Sequence, residues 1–166
     1  MSQHALEKIA TFEHFNLDLD AQSSVRLINH RFTESTTVEH VYSPGLYISM
    51  LGQCQCKMLN EGTEQHDYNH QYVIALVDKP STSRIHFSHN NIWQTFAIML
   101  PLNKLHESSF LPKQPNNDFH TIPNIRFAEQ GPVPADILHC CEVVWNCTFE
   151  GFERELFIKA KAQEVL

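Results

Sequence analysis

"YVIALVDKPSTSRIHFSHNNIWQTFAIMLP", Tyr72–Pro101, decides the fold class. Tyr72–Asp78 is rich in β-branched and apolar residues and reads as a mostly buried strand that Pro80 closes. Arg84–His89 alternates apolar and polar, the pattern of a half-buried strand. His89–Asn91 makes a turn, and Trp93–Leu100 is a strong strand ended by Pro101. Strands follow one another at roughly ten-residue spacing with turns rather than helices between them, which argues for a β-barrel or sandwich.

The same pattern extends upstream. "VRLINHRF" (Val25–Phe32) alternates, with Val25, Leu27 and Asn29 on one face and Arg26, Ile28 and His30 on the other. "SPG" (Ser43–Gly45) is a turn, "LYISML" (Leu46–Leu51) is a strand stopped by Gly52, and "CQCKML" (Cys54–Leu59) alternates again. "NEG" (Asn60–Gly62) supplies a glycine for a hairpin turn. Helical crossovers are missing, which excludes a parallel α/β sheet. Downstream, "LNKLHESSF" (Leu102–Phe110) reads as a short helix. Leu111–Val133, with Pro112, Pro115, Pro123, Gly131 and Pro132, reads as a packed connector and a boundary.

After the boundary the period changes. In "VPADILHCCEVVWNC" (Val133–Cys147) Pro134 stands at the expected first helical position and Asp136 in the first turn, both start signals. Ile137, Leu138, Cys141, Val144 and Trp145 form one apolar stripe. "TFEG" (Thr148–Gly151) is a short join, so the last helix, "GFERELFIKAKAQEVL", runs back antiparallel. That helix has two apolar faces: Phe152, Leu156 and Ala160 on one, Ile158, Ala162 and Val165 on the other. One face covers the chain's own core and the second calls for another surface. No stop signal follows Val165, which leads to the expectation that the natural chain continues.

The chain of 166 residues is enough for one domain with a real core, and its composition is globular, 42% hydrophobic and 19% charged. A net charge of −7 makes it a poor binder of nucleic-acid phosphates or anionic membranes by itself. No apolar run is long enough to span a bilayer, and the N-terminus has no secretory h-region. The 5 cysteines are odd in number and not spaced as a disulfide framework, which fits a reducing cytoplasm.

Chemistry-bearing motifs are few. His66 and His70 lie four apart in "HDYNH", but the stretch reads as a loop, where that spacing has no helical meaning. The His-x-His, Glu and distant His of metal-binding barrels are absent, so no metal and no cofactor is expected. Cys54 and Cys56 share a strand face, where paired thiols can hold a soft metal or sense oxidation, although small buried residues explain them as well. Nucleophile elbows, phosphate loops and dinucleotide fingerprints are missing, so no enzyme activity is expected. Small barrels either fill with side chains or hold one small ligand. The candidates for contacting such a ligand are Tyr47, Met50, Tyr72, Arg84, His86, Trp93 and Phe96.

"PGLYISMLGQCQCKML", "YVIALVDKPSTSRIHF" and "WQTFAIMLPLNKL" together resemble the N-terminal sensing domain of AraC-type bacterial transcription regulators. The tail, through Arg154, Leu156, Phe157, Lys159, Ala160, Lys161 and Ala162, resembles the segment before the DNA-binding half in the siderophore-responsive branch of that family, similar to the pyochelin and yersiniabactin activators. The resemblance implies a cupin-like (jelly-roll) β-barrel over residues 1–132 that binds a small-molecule effector such as a ferric siderophore. A helical dimerisation segment over residues 133–166 follows, then a helix-turn-helix domain beyond residue 166 that alone touches DNA. The expected homodimer contacts are Ile137, Leu138, Cys141, Trp145, Leu156, Phe157 and Ala160. The rivals are a cupin-type metal-dependent enzyme and a stand-alone small-molecule-binding protein.

Overall fold

A computed structural model describes residues 14–20, 23–59, 65–105 and 124–166. In chain order the strands are β1 (His14–Asp18), β2 (Ser24–Arg31), β3 (Thr36–Tyr42), β4 (Gly45–Met58), β5 (Gln65–Val77), β6 (Ser81–Phe87) and β7 (Ile92–Leu100). A short helix α1 (Leu102–Leu105), strand β8 (Ile125–Pro132) and helices α2 (Ala135–Trp145) and α3 (Gly151–Val165) complete them. This is the mainly-β architecture with C-terminal helices that the alternating pattern implies.

All pairings are antiparallel. The main path runs β1-β2-β7-β4-β5-β8, and β3 pairs β6. The nesting of β2 with β7, β3 with β6 and β4 with β5 is a jelly-roll order. Long β4 joins the two parts: Leu46–Leu51 pairs with β7, while its end, Lys57 and Met58, pairs with β6. The β3–β6 pair is thereby carried round to face the main sheet.

The main sheet is apolar on both faces. Toward the helices, Leu27, Phe96 and Met50 stand in one cross-strand row, with Val25, Ile98 and Ile48 in the next. Onto these pack Cys141, Val144 and Trp145 of α2 and Ile158 and Ala162 of α3. Burial of a Val or Ile side chain at this seam contributes about 1.5–3 kcal/mol. The other face turns inward with Ile28, Cys54, Cys56 and Trp93, opposite Val38, Ile85 and Phe87 of the β3–β6 pair.

Several sequence expectations are corrected. Gly52 does not stop a strand: it lies inside β4, and a Cβ there would come within 2.9 Å of both Trp145 Cη2 and Gln94 Oε1. It is a glycine because Trp145 rests on it. A register shift between Leu51 and Cys54 follows directly. "HDYNH" is not a loop but the start of β5, with His66 opposite Cys56. Strands β1, β3 and β8 were not anticipated, and β8 occupies Ile125–Pro132 of the supposed connector. There Gly131 and Pro132 read as loop residues, yet they sit opposite Tyr72 and Gln71 at the edge of the sheet. The rest of the connector, the Asn60–Gly62 turn and most of the segment after α1 lie outside the described residues. Pro134 is the cap of α2 rather than its first residue.

Candidate functional site

The inward faces of the barrel line a partly open cavity of about 110 Å³. Its existence follows from side-chain size along the rows of the main sheet. On the helix side those rows hold Phe96, Ile98 and Met50, whereas on the inner side Arg26 of β2 faces Ala97 of β7, which faces Ser49 of β4. In the neighbouring row Ala75 stands opposite Tyr47. Small residues where the outer face has large ones leave an unfilled space.

One end of the space is polar. Arg26 Nη1 donates to His40 Nε2 at 2.5 Å, bridging β2 and β3 across the interior. Since a guanidinium only donates, His40 carries its proton on Nδ1. The His40 ring meets Tyr42 edge-on at 4.5 Å and Trp93 at 5.8 Å, and Tyr42 meets Tyr47 at 5.5 Å. Burial pushes the Tyr42 hydroxyl up to about 12, against the opposing pull of Ser83 and the Arg26 charge. Burial likewise raises Tyr47, whose hydroxyl is tied to the Ser43 backbone at 3.0 Å. Both phenols are therefore neutral donors.

The other end is apolar and soft, with Met58, Ile85, Phe87 and Trp93 around Cys54 and Cys56. Phe87 stacks on Trp93 at 4.9 Å and on Phe32 at 4.3 Å. Trp93 Nε1 donates to Thr95 Oγ1 at 2.7 Å, so the indole enters the wall with its polar atom satisfied. Hydrogen bonding with Cys56, then burial, hold the Cys54 thiol well above its usual range. Among the described residues no group of three or more His, Cys, Asp or Glu is placed to hold a metal.

A second, wider space of about 540 Å³ opens on the rim, where Gln53, Gln55, Asp67, Asn69, Asn90 and Asn91 surround it. It is open to solvent and polar, but Cys54 and Tyr68 belong to both walls and stand between rim and interior.

Of the residues singled out for a ligand, Tyr47 and Trp93 line the cavity. Met50 and Phe96 belong instead to the helix-facing core, and Tyr72 packs beside them with its hydroxyl on Glu129. Arg84 is exposed and pairs with Glu39 at 3.7 Å, and His86 bonds Thr37 at 3.1 Å, both on the outer face of β6. The strand period explains the split: of two adjacent residues only one points inward. Arg26, His40 and Tyr42 were missed. The signal for the last two was present in "TTVEHVY", a β-branched run that alternates with His40 and Tyr42 on one face.

The residues expected at a dimer contact divide in the same way. Cys141 and Trp145 are taken up by the barrel, and Ile137, Leu138 and Phe157 pack against the same core. Leu156 is 52% exposed and Phe152 72%, while Ile158 and Ala162 on the opposite side of α3 are fully buried. The two faces read from the sequence are both present, one covered and one open.

No protein-family model and no curated protein matches this chain. Among solved structures it is similar to the crystal structure of an apo ToxT variant from Vibrio cholerae, with a TM-score of 0.45 and 10% identity over 85% of this chain and 54% of that one. The chain thus spans about half the length of that protein. Among the described residues no helix is long and apolar enough to cross a membrane.

Proposed function

We propose that this chain is the effector-sensing and dimerising part of a cytoplasmic AraC-type transcription regulator, with no catalytic role of its own. Residues 1–132 form the sensing barrel, residues 133–166 the dimerisation segment, and a helix-turn-helix domain beyond residue 166 makes the DNA contacts. The sequence resemblance motivates this reading, and one structural observation carries it. A single sheet has a ligand-sized hollow on one face and the helix pair on the other. Cavity-lining Leu51 is the chain neighbour of Gly52, on which Trp145 rests. Trp93 and Thr95 line the cavity on either side of Gln94, which approaches Gly52 and bonds Asn29, and Asn29 in turn donates to the Trp145 carbonyl at 3.1 Å. A ligand that prefers one arrangement of these strands biases the seat of α2, a population shift scaled by its differential affinity.

A ferric siderophore, the effector that the tail resemblance points to, is matched in size by the rim space of about 540 Å³ rather than by the interior of about 110 Å³. The homodimer would form through the open face of α3, Phe152, Leu156 and Ala160, with Phe149 beside it. The test is a thermal-shift panel of ferric siderophores, catechols, fatty acids and sugars, since a ligand of the native state raises its melting temperature. A hit whose effect disappears in an Ala97→Leu or a Gln53→Ala variant locates the effector inside or at the rim. A panel without hits argues against sensing.

A further inference from the structure

We propose that Cys54 and Cys56, on the inner face of β4, form a binding site for one Cu(I) ion, a soft monovalent cation held between the two thiolates. The site goes beyond the effector reading above and stands whether or not the chain senses an organic molecule.

Donor placement comes first. "CQCKM" puts Cys54, Cys56 and Met58 at alternate positions of one strand, so the three sulfur-bearing residues share a face. All three line the interior cavity, and both cysteines are buried and free of disulfides. The two thiols are hydrogen-bonded to each other. Two metal–sulfur bonds of about 2.3 Å span up to about 4.6 Å, so a cation takes the place of the shared proton without moving the strand. β4 is paired on both sides at Cys54, with Tyr68 of β5 and Trp93 of β7, which fixes the backbone that carries the pair. Alanine or valine would fill the same places by size, and neither would bring two sulfurs together.

The choice of ion comes second. Thiolate and thioether are soft donors and select Cu(I) over hard cations. Among the described residues no third His, Cys, Asp or Glu stands with the pair, so Zn(II) lacks the ligands of its tetrahedral site. A closed-shell monovalent cation is satisfied by two thiolates in line, with the Met58 thioether as a further soft neighbour. On binding, two S–H bonds break, two S–Cu bonds form and two protons leave to solvent, with no electron transferred. Ile85, Phe87 and Trp93 pack round the pair and keep water from the metal.

Access comes third. Cys54 and Tyr68 are common to the cavity and the rim space. A cation entering past the oxygens of Gln53, Asp67 and Asn69 therefore meets Cys54 first and Cys56 behind it.

Anaerobic titration of the 166-residue chain with Cu(I), with ascorbate present and bicinchoninate as the competing chelator, tests this. The expected result is one Cu(I) held per chain with two protons released, Ag(I) held likewise and Zn(II) not held. Cys54→Ala and Cys56→Ala each lower the Cu(I) affinity by about a hundredfold or more, at or beyond the loss that a supporting residue of a metal site causes. Cys147→Ser, which removes the least buried thiol, leaves it unchanged. Circular dichroism establishes that each variant is folded. If the alanine variants do not fold, Trp93 decides. In Trp145→Phe it is the only indole, it lies across from Cys54, and one equivalent of Ag(I) should quench it. Unchanged affinity in either folded alanine variant, or Trp93 emission unmoved by Ag(I), overturns the inference. So does a chain that yields all its Cu(I) to bicinchoninate, one that holds Zn(II) as tightly, or one that loses Cu(I) with Cys147→Ser. The effector panel above is judged separately from all of these results.

Discussion

Trp145 rests on Gly52: its Cη2 lies 2.9 Å from where a Cβ on that glycine would stand. The contact presses the end of α2 against the middle of β4, one residue from the cavity wall. It is why a strand that must pack on both faces carries a glycine at its centre. Trp145 Nε1 is buried there without a hydrogen-bond partner among the described residues, so shape rather than polarity holds the ring.

Two glycine variants should therefore fail for different reasons. Gly52→Ala drives a methyl into Trp145 and Gln94, and overpacking of this kind costs about 1–3 kcal/mol. Gly151→Ala meets nothing within 4 Å, but its φ of +53° is left-handed, and the cost is about 1–2 kcal/mol of backbone strain. Urea unfolding measures both. Shortening Trp145 to Leu should rescue Gly52→Ala and do nothing for Gly151→Ala. Equal effects on the two would remove the steric account.

The open face of α3 should control association and not folding. Phe152→Glu with Leu156→Glu changes residues that are 72% and 52% exposed, so monomer stability should move by less than about 0.5 kcal/mol. Sedimentation velocity should show a wild-type dimer become monomeric. A wild-type chain that is monomeric at high concentration, or a double variant that remains dimeric, excludes this face as the interface.

Acid should weaken the fold through His30. Burial lowers its folded pKa below the ordinary 6.5. Above about pH 6.5 the ring is neutral folded or unfolded and contributes nothing to the slope. Below that value the unfolded chain binds a proton that the folded chain resists, so stability falls until pH passes the lowered folded pKa. The urea midpoint should drop between pH 7 and pH 5.5, and His30→Gln should flatten the drop. An identical slope in the variant would put the acid sensitivity elsewhere.

Cys141 should be silent in the native state. Burial first, then the charges of Cys140 and Glu142, push its thiol up to about 12. At pH 8 the thiolate fraction is about one in ten thousand, and the thiolate is the species that alkylates. Iodoacetamide followed by peptide mass mapping should leave Cys141 unmodified until urea is added. Rapid native labelling would mean that α2 lifts from the barrel.

The sequence carried the fold class well and the inward face poorly. Alternation in Val25–Phe32 correctly separated Arg26 and Ile28 from Val25 and Leu27. Because both faces of the sheet are covered, however, alternation alone did not say which faced the cavity. Phe96 and Met50 look like ligand contacts for that reason, although the helices claim them. Helix period in Ala135–Trp145 and the two stripes of α3 were legible, since 3.6-residue spacing survives without tertiary information. Strands β1 and β8 were not, because edge strands are short and tolerate Gly and Pro. The cavity was invisible: it depends on Ala97, Ser49 and Ala75 meeting across three strands, a matter of register.

The central claim is that the hollow side of the sheet is coupled to its helix side, and the 2 tryptophans of the chain fall one on each. Trp93 lines the cavity and Trp145 sits at the helix seam. The decisive measurement is the fluorescence of a Trp93→Phe variant, in which only Trp145 emits, titrated with the compound that most raises the melting temperature in the effector panel. The account predicts a saturable change in Trp145 emission with the same affinity that calorimetry gives for binding. Saturable binding with Trp145 emission unchanged would contradict it.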